Sequence, residues 1–251
     1  MKKPLSVFTL VVSIVLIFGV GRVVADEIQV AVASNFTTVI QDMAKRFTER
    51  TGHKVTLIFG STGKHYAQII NGAPFDAFFA ADVRRPELLA KEGVALSGSR
   101  FTYAVGKVVL WSPRMAYVDS AGKILEQREF RYLAIANPKL APYGRAAQEI
   151  LEAKKIWVDL QRSIVRGENI GQTFQFVKSG NAELGFVAYS QIKRPGNPIE
   201  GSFWEIPQSL YTPIEQQAVL LKENNIARSF LAFVKSEESR NLIREYGYSV
   251  R

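Results

Sequence analysis

Two short polar segments carry most of the chemistry this sequence could do. One is Ala33-Ser34-Asn35-Phe36, after the apolar run Ile28 to Val32, and the other is Gly60-Ser61-Thr62-Gly63, after Val55 to Phe59. Each stands between a strand-like run and a helix-like segment. Hydroxyls and unpaired backbone N–H groups at a helix start bind anions, because the amides and the helix dipole both point outward at that end. Two such turns in succession suggest a receptor for an oxyanion. Each turn also has a plainer reading, since Ser, Thr and Asn are the preferred helix caps.

Other constellations fail on their spacing. Gly60-Ser61-Thr62-Gly63-Lys64 falls short of a phosphate loop, which wants glycine where Ile58 stands and Ser or Thr where His65 stands. His53 and His65 are the only histidines; neither has the spacing of a zinc helix, and both are expected at the surface. The chain has no cysteine, which excludes disulfides, thiolate nucleophiles and Cys-ligated metals. Asp82 is expected to cap a helix. A hydrolase or transferase using Ser61 or Thr62 as nucleophile stands as an alternative, although neither histidine is well placed as its base.

The elements that must position these turns alternate. Strand-like runs and helix-like segments succeed one another through the first half, the pattern of βαβ units and a parallel sheet. A helix from Phe36 to about Thr51, ended by Gly52, follows the first strand; helices after Phe59 and after Ala81-Asp82 follow the next two. The β-prone run Phe101 to Trp111 is longer than a typical strand of ~5–6 residues and suits a chain leaving one lobe for another. A second alternating series fills Tyr132 to Val187, and the strand-like run Ile214 to Leu221 with two final helices returns to the first lobe. The expected organisation is a signal segment at 1–25, a first lobe of 26–106 plus 216–251, and a second lobe of 107–215. Two crossings between lobes make a hinge that closes on a ligand.

In open α/β sheets ligands bind beyond the carboxyl ends of the strands. The second lobe offers two turns there, Asn137 to Gly144 and Gly167 to Gln172, to face Ser34-Asn35 and Ser61-Thr62. All are built mainly from hydroxyls, amides and glycines. Such donors alone can hold a small dianion, because hydrogen bonds to an ionised group are roughly twice as strong as neutral ones. The set contains no carboxylate, which suits a proton-free anion better than a protonated phosphate.

The amino terminus addresses location. Lys2 and Lys3 precede the apolar stretch Leu5 to Val20, and Val23-Val24-Ala25 stands before Asp26, the layout of a cleaved export signal. Its removal takes away Lys2, Lys3 and Arg22 and no acid, so the formal charge falls from +9 to +6. The remaining basic residues are scattered among acids, which argues against a nucleic-acid partner.

Val32-Ala33-Ser34-Asn35-Phe36, Phe59-Gly60-Ser61-Thr62-Gly63, Asn71-Gly72-Ala73-Pro74-Phe75-Asp76, Phe79-Ala80-Ala81-Asp82, Ala141-Pro142-Tyr143-Gly144 and Glu245-Tyr246-Gly247-Tyr248 together resemble, in this order, the periplasmic molybdate-binding proteins of ABC transporters. The resemblance implies an α/β, two-lobed periplasmic-binding-protein fold of type II, a periplasmic monomer with no cofactor and no enzymatic activity, and delivery of molybdate, and commonly tungstate, to an ABC permease. Carried over by motif, the ligand positions are Ser34, Asn35, Ser61 and Thr62 in one lobe and Tyr143 and Ile170 in the other. Many members have serine where Thr62 stands and tyrosine where Ala188 stands; here Tyr189 follows instead, and Tyr143 supplies the missing donor. Another tetrahedral oxyanion such as sulfate is the alternative ligand.

Overall fold

The computed structural model describes residues 27–250; the expected signal at 1–25 lies outside them. The chain forms two α/β lobes, each built on a five-stranded mixed sheet. In the first, β1 (Glu27–Ala33), a 3-10 turn (Ser34–Phe36), α1 (Thr37–Thr51), β2 (Lys54–Gly60), α2 (Thr62–Ile70), β3 (Ala77–Ala80) and α3 (Arg84–Lys91) run in succession, followed by β4 (Phe101–Gly106). The chain then crosses at Lys107 into β5 (Val108–Ser112) of the second lobe. There α4 (Ile124–Gln127), β6 (Leu133–Ala136), α5 (Pro142–Ala153), β7 (Ile164–Gly167), α6 (Ile170–Lys178), β8 (Leu184–Ala188), α7 (Tyr189–Ile192) and β9 (Ser202–Glu205) follow. β10 (Ile214–Leu220), α8 (Asn225–Lys235) and α9 (Glu237–Glu245) return to the first lobe.

The sheets share one plan. Their strand orders are β2-β1-β3-β10-β4 and β7-β6-β8-β5-β9. The three strands of each βαβ series are parallel, while β10 is antiparallel to β3 and β4, and β5 is antiparallel to β8 and β9. The expectation of a parallel sheet is therefore corrected to a mixed one in each lobe. The crossing strand enters each sheet from the hinge, so it runs against the strands whose carboxyl ends face the cleft. The long run Phe101 to Trp111 divides at Lys107 into strands of two different sheets. β10 rejoins the first sheet at Ile214, opposite Gly106, two residues ahead of the expected 216.

Period-two alternation explains the first core. Ile28, Val30 and Val32 of β1 pack with Phe36, Phe47, Phe230 and Leu242 on one face, while Ala31 packs with Ile69, Phe78 and Leu89 on the other. Helix α1 stops where Gly52 adopts φ +75° and its N–H reaches Thr48 O at 2.8 Å, the left-handed cap that glycine takes without a Cβ penalty. Phe36 anchors the first polar turn. Its ring is fully buried, with centroids 4.7 Å from Tyr103 and 5.5 Å from Tyr248. Burying such a ring contributes about 1.5–3 kcal/mol, which fixes the backbone that carries Ser34 and Asn35.

Candidate anion-binding site

The carboxyl ends of β1, β2, β6 and β7 bring the predicted turns together at the junction of the lobes. Ser34 Oγ donates to Asn169 Oδ1 at 3.1 Å and accepts from Gly171 N at 3.1 Å, joining the first turn of one lobe to the start of α6 in the other. Ile170 is the first residue of α6, where an amide has no intrahelical acceptor. Asn169 caps this helix through Gln172 N at 2.9 Å, and the Ile170 carbonyl is held by Gln191 Nε2 at 3.1 Å.

The second turn divides its two hydroxyls between roles. Ser61 Oγ accepts from Lys64 N at 3.3 Å and is the N-cap of α2. Thr62 Oγ1, buried, accepts from Ala81 N at 3.0 Å, which leaves its hydroxyl hydrogen as the group it can donate. The next residue touches the opposite lobe, with Gly63 N on Leu140 O at 2.8 Å. A side chain at Gly63 would crowd the Leu140 backbone at 3.0 Å, so glycine permits this approach.

Tyr143 lies in the first turn of α5, after Pro142, and is fully buried. Its hydroxyl meets Gln216 Nε2 at 3.4 Å. Burial, with the neighbouring Tyr248 second, pushes its pKa well above the ordinary phenol value, so the group stays protonated and available as a donor. Asn35 reaches the same glutamine, with Nδ2 2.7 Å from Gln216 Oε1 and 3.0 Å from Tyr248 OH. Two predicted positions from opposite lobes, Asn35 and Tyr143, thus share one partner.

That partner belongs to a buried polar network that sequence reasoning missed. Gln216 lies within 3.0 Å of Tyr103 OH, Tyr103 OH donates to Ala80 O at 3.1 Å, and Ser190 Oγ and Tyr248 OH both donate to Asn35 O at 3.1 and 2.9 Å. The only sequence signal is the polar run Glu215-Gln216-Gln217 in a strand whose other residues are apolar. Tyr189 stands apart, its ring 6.1 Å from that of Phe203 and beneath Lys107 Nζ.

The expectation of a surface histidine is corrected at His65, which is buried, with Nε2 3.2 Å from Val32 O and Nδ1 3.2 Å from Gln68 Oε1. α2 turns this position inward against β1, and its ring packs between Phe75 and Phe78. Burial, the largest influence, lowers its pKa. The expectation that Asp82 caps a helix is corrected by one residue: Val83 is the N-cap of α3, and Asp82, just before it, accepts from Arg85 N at 3.0 Å in the first turn.

Charge is confined to the rim. Lys64 pairs with Glu168 across the lobes at 3.1 Å, both side chains about half exposed, and Arg85, paired with Asp82, reaches Lys139 O at 3.2 Å. Beside the hinge a cavity of about 350 Å³ is lined by Asp82, Arg85, Arg145, Glu149 and Glu215, so both signs are present there. The groups gathered at the floor among the described residues, Ser34, Asn35, Thr62, Tyr143, Gln216 and helix-start amides, are uncharged and buried. Such an arrangement can hold a small, fully ionised anion by donation alone.

Comparison with known proteins agrees with this geometry. The family model described as bacterial extracellular solute-binding protein matches residues 28–249. The chain is 49% identical over 230 residues to the molybdate-binding protein ModA of Azotobacter vinelandii, covering 90% of this chain and 91% of that one. It is 47% identical over 228 residues to ModA of Rhodobacter capsulatus, covering 89% and 88%. The solved periplasmic molybdate-binding protein of Azotobacter vinelandii superposes with a TM-score of 0.87 at 41% identity, over 89% of this chain and 99% of that one.

Proposed function

This chain belongs to the bacterial extracellular solute-binding protein family, and on that footing we propose that it is an extracytoplasmic receptor that captures molybdate, and tungstate, between its lobes and delivers it to an ABC permease. The observation that carries this reading is the uncharged floor, set in a chain closely similar over nearly its whole length to molybdate-binding proteins. The proposed donors are the Ser34 hydroxyl, its hydrogen turned from Asn169 Oδ1 to the anion, the Thr62 hydroxyl, the Asn35 amide groups, the Tyr143 hydroxyl and the Ile170 backbone N–H, with Ser61 contributing through its amide while its Oγ caps α2. Each hydrogen bond to the dianion is worth about 1.5–3 kcal/mol. The receptor works as a monomer and is exported by cleavage of residues 1–25.

Binding and not catalysis is supported by the partners of the two candidate nucleophiles. Ser61 Oγ and Thr62 Oγ1 accept from backbone amides, and both ring nitrogens of His65 are engaged with Val32 and Gln68. Discrimination against sulfate follows from size, because a smaller tetrahedron leaves donors beyond the ~2.7–3.2 Å hydrogen-bond range. Isothermal titration of residues 26–251 with molybdate, tungstate, sulfate and phosphate tests the reading. One molybdate or tungstate per chain, bound at least ~100-fold more tightly than sulfate, is expected for a loss of two donors. Sulfate binding as tight as molybdate overturns it.

A further inference from the structure

We propose that Gln216 is a positioning residue of the anion site, its carboxamide turned so that its N–H groups face Tyr103 and Asn35 and the Asn35 N–H₂ is thereby directed at the bound oxyanion. The inference rests on the receptor reading above and concerns how its donors are aimed.

It starts from two conflicts in one network. With both carboxamides as placed, Tyr103 OH stands between two acceptors, Ala80 O at 3.1 Å and Gln216 Oε1 at 3.0 Å, with a single hydrogen to give. Asn35 spends its Nδ2 on Gln216 Oε1 and Tyr248 OH, and its Oδ1 is buried with no hydrogen-bond partner. An unpaired buried acceptor costs about 1–3 kcal/mol.

A half-turn of each carboxamide exchanges oxygen and nitrogen without moving any other atom, and it removes both conflicts. Ala80 O is a backbone carbonyl and can only accept, so it fixes the direction of the chain. Tyr103 OH donates to it and must then accept from Gln216 N–H across 3.0 Å. The second Gln216 N–H donates across the 2.7 Å contact to Asn35 Oδ1, and Tyr248 OH gives its one hydrogen to the same Oδ1 at 3.0 Å in place of Asn35 O at 2.9 Å. Ser190 Oγ then donates to Tyr248 OH at 2.8 Å. The Asn35 N–H₂ now occupies the end of the side chain that no protein group reaches.

Tyr143 completes the arrangement. Its hydroxyl faces the turned Gln216 Oε1 across 3.4 Å, too long for a strong bond. An ionised oxyanion is the better acceptor and takes that hydrogen. Gln216 therefore sets donors on both lobes, although it lies in the hinge strand β10 and need not touch the ligand.

The orientation is readable in the unliganded protein. Nuclear Overhauser effects from the Gln216 side-chain amide protons to the Tyr103 ring are expected; effects to the Tyr143 ring instead overturn the proposal. On saturation with molybdate the Asn35 side-chain amide resonances are expected to shift, and their constancy while the wild type binds molybdate by titration also overturns it. Gln216→Glu supplies only acceptors, draws the Asn35 N–H₂ back and is expected to weaken molybdate binding ~100-fold, and Gln216→Met, neutral and of similar volume, ~10-fold. Thermal unfolding of each variant reports whether it folds, and the methionine variant serves if the buried carboxylate does not. Wild-type affinity in a folded variant of either kind refutes the positioning role. A wild type that binds none of the four anions, yet shows the expected Gln216 orientation, sinks the receptor reading and not the network.

Discussion

The floor of the cleft and its rim are built from different chemistry. At the floor, Asn35, Thr62, Tyr143 and Gln216 are all buried, uncharged and tied to backbone or to one another. At the rim, Lys64, Glu168 and Arg85 bridge the lobes through groups that remain partly in water. Exposed ion pairs are worth about 0–1 kcal/mol and are screened by salt, whereas a buried hydrogen bond to a charged ligand is worth about 1.5–3 kcal/mol. Holding the anion thus falls to the floor, and the rim contributes at most to drawing the lobes together.

The sharpest way to break this comparison is to fill the floor. A Cβ at Gly106 would overlap the Tyr143 hydroxyl and lie 2.7 Å from Gln216 Nε2. Gly106→Ala is expected to reduce molybdate affinity by ~100-fold or more in a calorimetric titration, since it displaces donors on both lobes, and to cost about 1–3 kcal/mol of stability through overpacking. Tyr143→Phe removes one donor and is expected to cost ~10–100-fold in affinity with little change in unfolding temperature. Thr62→Ala should cost similarly in affinity but also lower the unfolding temperature, because Ala81 N then loses its buried acceptor.

His65 tests the frame beneath the floor. Its pKa is lowered from 6.5 by burial, so the unfolded chain binds the proton more readily than the folded one. Stability is fully present above about 6.5 and is lost as pH falls below that value toward the lowered folded pKa. Thermal unfolding between pH 7.5 and 5 should show this decline, and His65→Gln should flatten its histidine component. The smallest effect belongs to the rim. Lys64→Ala should weaken molybdate binding less than ~5-fold, and the difference should vanish in high salt.

Much of this architecture was legible in the sequence because local signals and tertiary positions coincide. Gly52 ends α1 where the apolar periodicity ends, and Asn35 and Thr62 stand where a strand gives way to a helix. The antiparallel strands were not legible as such, since direction is set by the chain's route through the hinge and leaves no mark in residue pattern. β9 was missed because only Phe203 and Trp204 of Ser202–Glu205 are apolar, too few to stand out as a strand-like run. The Gln216 network escaped for a different reason. Tyr103, Ser190, Gln216 and Tyr248 come from distant parts of the chain, and their hydroxyls and amide meet only after both lobes have formed. His65 misled because polarity suggested the surface, while the inward face of α2 and two oxygen partners hold it in the core.

Crystals of the mature protein grown with molybdate, measured at the molybdenum absorption edge, put the central claim to the most direct test. A single anomalous peak within hydrogen-bond reach of Ser34, Thr62, Tyr143 and the Ile170 amide is the predicted result. A peak among the rim arginines Arg85 and Arg145, with none at the floor, contradicts it.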